Sequence, residues 1–308
     1  METYILDIQK MSTEDGPGIR TTVFFKGCNL RCRWCHNPES LSLQREMYWV
    51  KENCIGCFTC KEVCPKKAIS FSEEGMIRDK SACAFCLTCV ENCPANAIVV
   101  KGERIAVADL YHELLKDLSY YQNSGGGVTL SGGEAALHHD YLFELLRKLK
   151  EAKIHTALDT AGNYPYSLLE KLLPYLDLIL YDLKIFDNEN HRCFTGVGND
   201  LIKENAIRLG KIAYPKIWIR TPIIPNATDS EENIENIGRF ISEYMPNIEK
   251  WELLSFNNLS KNKYRLLGKV WEYEQEALLS KEKMNRLCRI AEKYVPHAVW
   301  SGATKLEV

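Results

Sequence analysis

One cysteine pattern occurs twice in the sequence: Cys54-x2-Cys57-x2-Cys60-x3-Cys64-Pro65 and Cys83-x2-Cys86-x2-Cys89-x3-Cys93-Pro94. Thiolates at this spacing wrap an iron–sulfur cube, and in paired runs the fourth cysteine of each run reaches the other cube. The spacing therefore predicts 4Fe-4S clusters on Cys54, Cys57, Cys60 and Cys93, and on Cys83, Cys86, Cys89 and Cys64. A short apolar piece follows each run, AIS after Pro65-Lys66-Lys67 and AIVV after Pro94-Ala95-Asn96, so the unit repeats as a whole. Zinc ribbons do not usually look like this.

A third cysteine set, Cys28-x3-Cys32-x2-Cys35 in GCNLRCRWCHN, offers only three thiolates to a cluster type that normally takes four. One iron is left open to chelate a small molecule. Three cysteines alone would also suit a zinc knuckle that borrows a fourth ligand such as His36. Gly27, the aromatic Trp34 between the last two cysteines, and His36-Asn37 instead match the cluster loop of the radical S-adenosylmethionine (SAM) enzymes, which this segment resembles. The duplicated runs resemble the bacterial two-cluster ferredoxins.

Composition excludes several other classes. Thirteen cysteines could indicate a secreted disulfide scaffold, but eleven belong to patterns that need reduced thiolates. The first residues, METYILDIQKMS, lack a basic start, an apolar core and a cleavage site, and no run of about eighteen apolar residues could span a bilayer. A cytoplasmic protein without membrane contact is expected, in a reducing, oxygen-poor setting. Cys193 and Cys288 are left over and read as small buried or loop thiols. A net charge of −2 leaves no nucleic-acid footprint; Lys66-Lys67 and Arg147-Lys148 read as solvated surface, and His138-His139 as a polar helix entry.

The ferredoxin-like segment, residues 48–102, reads as an insertion between 1–47 and 103–308, which should form one body. Short β-branched and aromatic runs at 21–27, 127–133, 155–162, 177–184, 216–225 and 250–259 read as strands. Amphipathic helix patterns separate them, so the class is α/β with parallel strands and right-handed crossovers. Periodicity does not choose between an open sheet and a barrel; the resemblance implies a partial (β/α)6 barrel with an inserted ferredoxin-like α+β domain. In either architecture a site belongs at the C-terminal strand ends. Ser131-Gly132-Gly133-Glu134, Asp159-Thr160, Asp182-Leu183-Lys184, Arg220 and Asn257 fall there.

SAM carries a sulfonium, an ammonium, a carboxylate and an adenine. The open iron on Cys28, Cys32 and Cys35 could chelate the amino and carboxylate groups, and Gly132 and Gly133 let the backbone approach the ammonium. Lys184 and Arg220 can pair with carboxylate or ribose oxygens, while Trp34 and His36 lie where adenine would stack. No acid–base dyad and no nucleophile motif is needed, because the cofactor carries the hard chemistry.

Further motifs narrow the resemblance. DGPGIR at 15–20, CHNPES after the cluster loop, GGGVTLSGGE at 125–134, LDTAG at 158–162, YDLK at 181–184, FTGVGN at 194–199 and NKYRLLG at 262–268 resemble the glycyl-radical-enzyme activating enzymes over nearly the whole chain. The resemblance implies that Trp34, Cys35, His36, Gly132, Gly133, Glu134, Asp182, Leu183, Lys184 and Arg220 contact SAM. It also implies a monovalent cation framed by Asp159, Thr160 and the Leu180 carbonyl, and Asp15 and His36 facing the glycine loop of the partner. Where the activase of pyruvate formate-lyase has Pro-Tyr-His, this sequence has Ser255-Phe256-Asn257, so Asn257 replaces a histidine contact. That activase also lacks the two-cluster insertion.

The implied reaction is abstraction of a hydrogen from a glycine α-carbon in a glycyl radical enzyme. Three 4Fe-4S clusters would serve it, with a reduced flavodoxin or ferredoxin as electron donor. A radical SAM enzyme acting on a small molecule, RNA or peptide shares the cofactor chemistry; the DGPGIR segment and the match along the chain disfavour it. A ferredoxin fused to an inactive barrel would need neither the open-iron triplet nor Gly132-Gly133.

Overall fold

The computed structural model describes residues 1–305. The chain opens with an antiparallel pair, β1 (Glu2–Ser12) and β2 (Arg20–Phe25), then leaves the main sheet after a 3-10 turn at Pro38–Ser40. The excursion comprises β3 (Glu46–Trp49), α1 (Thr59–Glu62), β4 (Ile69–Ser72), β5 (Gly75–Arg78), α2 (Thr88–Glu91) and β6 (Ile98–Lys101). The main sheet resumes with β7 (Glu103–Ala106), followed by α3 (Val107–Leu115), α4 (Leu118–Ser124), β8 (Gly127–Gly132), α5 (His139–Glu151), β9 (His155–Thr160), α6 (Tyr166–Leu172) and β10 (Leu178–Asp182). Then come α7 (Asn188–Thr195), α8 (Asp200–Leu209), β11 (Lys216–Ile223), α9 (Glu231–Tyr244), β12 (Lys250–Ser255), α10 (Lys261–Leu266), α11 (Lys281–Glu292) and β13 (Ala298–Ser301).

The main sheet has nine strands in the order β13-β12-β11-β10-β9-β8-β2-β1-β7. From β2 to β13 every neighbour pair is parallel, and β1 and β7 add an antiparallel edge. Its outermost strands, β13 and β7, do not pair, so the sheet stays open. The six strand runs expected from the sequence all lie in this sheet. Strands β1, β7 and β13 were not signalled, because Glu2–Ser12 is mostly polar and the other two are four residues long.

Side-chain alternation divides each parallel strand. Ile179 and Tyr181 on β10, Leu158 on β9, and Ile217 and Ile219 on β11 pack against the helices in the main core. On α5 the matching face is Tyr141, Leu142, Leu145, Leu146 and Leu149, at helical spacing. Each fully buried Leu or Ile of this kind contributes roughly 1.5–3 kcal/mol relative to exposure. Ala157, Leu178 and Leu180 with Trp218 form a separate apolar plug on the other face. Two residues further along those strands come Asp159, Asp182 and Arg220, on that same face because side chains repeat with period two. An apolar floor and a polar rim result from one register.

Two glycine-bearing motifs meet in backbone contact. A side chain at Gly18 would meet the Gly126 nitrogen at 2.4 Å, and one at Gly126 the Ile19 carbonyl oxygen at 1.8 Å. Arg20 locks the same turn, donating to Thr129 Oγ1 (2.6 Å), the Val128 carbonyl (2.7 Å) and the Pro17 carbonyl (3.2 Å). His138, expected as a polar helix entry, faces inward instead. Its ring bonds the Lys26 carbonyl (2.6 Å) and Thr3 Oγ1 (2.8 Å) and so ties the loop after β8 to β1 and β2.

The excursion builds its own two small sheets, β3 with β6 and β4 with β5. The first ladder begins at Glu46 opposite Lys101, slightly before the expected boundary at 48. Met47, Ile69, Cys89 and Ile98 form a separate apolar cluster there. Cys193 lies exposed on α7 and Cys288 buried on α11. Among the described residues, no helix is long and apolar enough to cross a membrane.

Candidate functional site

The loop leaving β2 is held from three sides. Its two ends close on each other, as Gly27 N–H donates to the Ser40 carbonyl at 2.6 Å. Arg31 N–H donates to the Thr195 carbonyl (2.7 Å) and Arg33 N–H to the Phe194 carbonyl (3.0 Å), so the free carbonyls at the end of α7 grip its middle. Gly196 ends that helix at φ 81°, which gives the FTG segment a mechanical role. From the third side, Ser260 Oγ (3.2 Å) and Lys263 Nζ (3.0 Å) donate to the His36 carbonyl.

So held, Cys28, Cys32 and Cys35 face one cavity of about 170 Å³, shared with Trp34, Gly132, Asp159 and Lys184. Burial pushes the three thiols up to about 12, 12 and 11. Such thiols ionise when a metal takes the negative charge, which suits a cluster.

Below it, a contiguous cavity of about 520 Å³ runs toward Glu14, Asp15 and Arg220, and reaches Ser301 and Gly302 at the end of β13. Four carboxylates, those of Glu14, Asp15, Asp159 and Asp182, line it against two cations, Lys184 and Arg220, while Glu252 lies outside the lining and is paired by Lys250 at 3.0 Å. Arg220 Nη1 lies 3.8 Å from Asp15 and 3.6 Å from Asp159, its Nε is 3.8 Å from Glu252, and Lys184 pairs with Asp182. Burial works against the Arg220 charge, yet Asp159, Asp182, Asp15 and Glu252 together raise its pKa. Burial likewise pushes Asp159 up to about 6, against the pull of Arg220. A surplus of carboxylate along the cavity wall suits a ligand carrying a sulfonium and an ammonium. Among the buried side-chain atoms that lack a hydrogen-bond partner, Arg220 Nε and His36 Nε2 belong to residues that line this cavity. The donor set, the charge and the orphaned atoms fit a cluster with SAM beside it.

Not every residue expected at the site faces it. Glu134 is buried, and its carboxylate accepts from Thr160 Oγ1 (2.8 Å), Ala161 N–H (2.9 Å) and Ala136 N–H (3.3 Å). It fastens the loop after β9 and lines neither cavity. The Leu183 side chain packs among Phe186, His191 and Phe240 instead, while its N–H donates to the Arg220 carbonyl and its carbonyl accepts from Thr221. Gly132 and Gly133 line the cavity, but β2 already forbids side chains there. A Cβ at Gly132 would sit 2.2 Å from Phe25 N, and one at Gly133 2.1 Å from the Gly27 carbonyl oxygen. Asn257 lines the larger cavity, with its Oδ1 accepting from Leu259 N–H at 3.2 Å. Thr160 also bonds Tyr164 OH (2.9 Å), and Leu180 registers opposite Asp159. Asp15 accepts from Ser12 Oγ (2.6 Å) and Thr22 Oγ1 (2.7 Å).

Sequence reasoning missed Lys263, Glu252, and the aromatic Trp271 and Phe256 that lie 6.2 and 6.4 Å from the His36 ring. The basic NKYRLLG segment was noticed, but its ties to His36 and Asn37 cross more than two hundred residues.

In the excursion the two cysteine runs fold alike. Positive φ angles recur at matched positions: Gly56 and Phe85, Phe58 and Leu87, Lys67 and Asn96. Thr59 and Thr88 donate to Cys57 and Cys86 at 3.4 Å each, and Ala68 and Ala97 N–H to Cys64 and Cys93 at 3.3 and 3.2 Å. Cys64, Cys83, Cys86 and Cys89 line one pocket. Cys54 and Cys93 are the thiol neighbours of Cys60. Cys64 thus lies with the second run and Cys93 near Cys60 of the first, and every cysteine is a free thiol.

Comparison with known proteins agrees with this geometry. The Radical SAM superfamily profile matches residues 80–237, and a 4Fe-4S dicluster domain profile matches residues 53–103. The first of these begins inside the excursion and leaves out Cys28–Cys35. The trans-4-hydroxy-L-proline dehydratase activating enzyme of Clostridioides difficile is 41% identical over 95% of this chain and 97% of its own length. The indoleacetate decarboxylase activating enzyme of Tractidigestivibacter scatoligenes is 38% identical, over 96% of each chain. A radical SAM methyltransferase from Sphaerobacter thermophilus shares the fold, with a TM-score of 0.53 at 13% identity, over 97% of this chain and 77% of that one. The chain belongs to the radical SAM superfamily and, within it, to the activating enzymes of glycyl radical enzymes.

Proposed function

We propose that the two contiguous cavities bind SAM against a cluster on Cys28, Cys32 and Cys35, to generate a radical on a glycine of a partner enzyme. Cys28, Cys32 and Cys35 would hold the cluster, which when bound would supply the electron for reductive cleavage of SAM and so the means of removing a hydrogen atom from the glycine α-carbon. Everything else is positioning by this chain. Asp159 and Asp182 offer charge to the cationic groups of SAM, and Lys184 and Arg220 to its carboxylate and ribose. Trp34 provides a flat wall beside the thiols, and His36 Nε2 is free to donate or accept. Asp159, Thr160 and the Leu180 carbonyl frame a monovalent cation.

The glycine reaches the reacting atoms sideways, past Glu14, Asp15, Ser301 and Gly302, where the open sheet leaves a gap. The parallel strands constitute a partial (β/α)6 barrel extended by β13, and residues 46–101 a ferredoxin-like insertion with two further 4Fe-4S clusters, three in all. A reduced flavodoxin or ferredoxin in the cytoplasm supplies the electrons.

The observation that carries this reading is three buried thiols at the head of a carboxylate-rich cavity. Relatives named for dehydratases, decarboxylases and lyases range from 35% to 41% identity, so several partners belong in the test. Reduced protein, SAM and each candidate partner are mixed without oxygen and examined by electron paramagnetic resonance. A glycyl doublet with one partner is expected. SAM cleavage with no doublet from any partner would reject the glycine assignment.

A further inference from the structure

Arg220 is surrounded by acids yet seated on none of them. Among the described residues, the one hydrogen bond of its guanidinium runs from Nη2 to the Glu14 carbonyl, at 3.1 Å. The nearest carboxylates stand off at ion-pair distance: Asp159 at 3.6 Å and Asp15 at 3.8 Å from Nη1, and Glu252 at 3.8 Å from Nε, a buried nitrogen with no hydrogen-bond partner. Each of these acids is fastened by a donor of its own. Ser131 Oγ donates to Asp159 Oδ2 at 2.7 Å, Ser12 Oγ and Thr22 Oγ1 donate to Asp15 Oδ2 at 2.6 and 2.7 Å, and Lys250 Nζ lies 3.0 Å from Glu252 Oε1. The guanidinium therefore hangs between fixed anions, and the pull at one end sets the gap at the other.

Glu252 is the member of this set that faces no ligand. Its side chain is buried outside the lining of either cavity, on β12, in parallel register with Arg220 on β11. Two residues earlier on the same strands, Lys250 registers with Trp218 of the apolar plug and lies 4.5 Å over its ring. One strand pair thus carries the acid into place behind the arginine.

We infer that Glu252 is a positioning residue, which holds the Arg220 guanidinium back from Asp159 and Asp15 so that those two carboxylates keep their charge free for the cationic groups of SAM. Without the anion at Nε, only the Glu14 carbonyl opposes closure of Nη1 onto Asp159 or Asp15. Closure would form a charge-assisted pair, and the cavity would meet a cationic ligand with one free carboxylate fewer. Glu252 touches neither SAM nor the reacting atoms; it acts through Arg220. The inference rests on the proposed function for its ligand, but its test uses neither the partner enzyme nor turnover.

The test is calorimetric titration of SAM into the anaerobically reconstituted holoenzyme, in a double-mutant cycle of Glu252→Gln and Arg220→Ala. Glu252→Gln should weaken SAM binding at least about fivefold, as expected of coupled neighbours, with iron content unchanged. In the Arg220→Ala background the same change should move the affinity by less than about twofold, because the group through which it acts is gone. Glu252→Asp gives a reading that does not depend on that background: it keeps the charge on the same strand and should bind SAM more tightly than Glu252→Gln. Equal losses from Glu252→Gln in the two backgrounds would make Glu252 a packing residue and overturn the inference. So would parental affinity in Glu252→Gln, or a Glu252→Asp protein that binds no better than Glu252→Gln. A parent holoenzyme that binds no SAM would reject the inference together with the proposed function, whereas a parent that binds and a cycle that fails would reject the inference alone.

Discussion

The cysteines of this protein are held in two contrasting ways. In the excursion each run makes its own loop: matched positive-φ residues, matched threonines and matched backbone donors shape it within about seventeen residues of sequence. The Cys28–Cys35 loop has local bonds too, Leu30 N–H to Cys28 Sγ at 3.4 Å and Cys35 N–H to the Cys32 carbonyl at 3.1 Å, but it also leans on the end of α7, more than 150 residues away, and on Lys263, farther still. Among the locally framed cysteines Cys57 and Cys86 are exposed and Cys89 is buried, while Cys28, Cys32 and Cys35 are all half-buried along the wall of the cavity. Electron carriers benefit from reach and the radical chemistry from enclosure. The two framing strategies supply one each.

This contrast can be broken at either end. The largest effect is expected from Cys32→Ala, which should abolish reductive SAM cleavage, at least about a thousandfold by 5′-deoxyadenosine yield, and lower bound iron from about twelve to about eight per chain. Undiminished cleavage would refute its place as a ligand. Cys57→Ala should also remove about four irons, yet leave dithionite-driven cleavage intact, because the excursion packs around its own apolar cluster, apart from the main sheet. Arg220→Ala leaves buried carboxylates unpaired, a loss of roughly 3–5 kcal/mol for a broken buried pair. A lower unfolding midpoint and weaker SAM binding by calorimetry are expected, with Arg220→Lys recovering part of both.

Lys263→Met should sharpen the contrast further. It removes the donor to His36 and Asn37 and leaves the buried Glu39 without the cation 3.3 Å away, at a cost of about 1–3 kcal/mol. Iron at the barrel site should fall while the other eight or so stay, read by Mössbauer quantitation. The smallest effect belongs to His155 at the foot of the sheet, where no cysteine lies. Burial and the Arg20 charge lower its pKa below 6.5, so the unfolded chain takes up the proton more readily. Its contribution is present above that value and fades as pH falls through it; denaturant melts of His155→Gln should show a shallower acid loss than the parent.

The same contrast explains what could be read in advance. The two four-cysteine runs were legible because their cysteines, turns and donors sit side by side in sequence. The six core strands were legible because β-branched runs alternate with amphipathic helices. Strands β7 and β13 escaped because they are short edges, and β1 because more than half of its residues are polar. Glu134 and Leu183 were expected to face SAM, but the pleat and the loop turn them toward Thr160 and Phe240, a geometry that spacing alone does not encode. Gly132 and Gly133 show a related ambiguity: a ligand and the neighbouring strand both ask for the missing side chain, and the contacts at 2.2 and 2.1 Å show that the strand already requires it. Lys263 and Glu252 became visible only when distant segments met.

Glu46 and Lys101 face each other across the ladder that begins and ends the excursion. Paired residues in antiparallel strands lie about 5 Å apart at Cα, so a few residues could bridge Arg45 to Gly102 with the intervening polypeptide removed. The module thus behaves like a cartridge with both terminals on one socket: it can be lost, gained or exchanged by a single splice, and the main sheet beneath would keep Cys28, Cys32 and Cys35 and their clasp from α7.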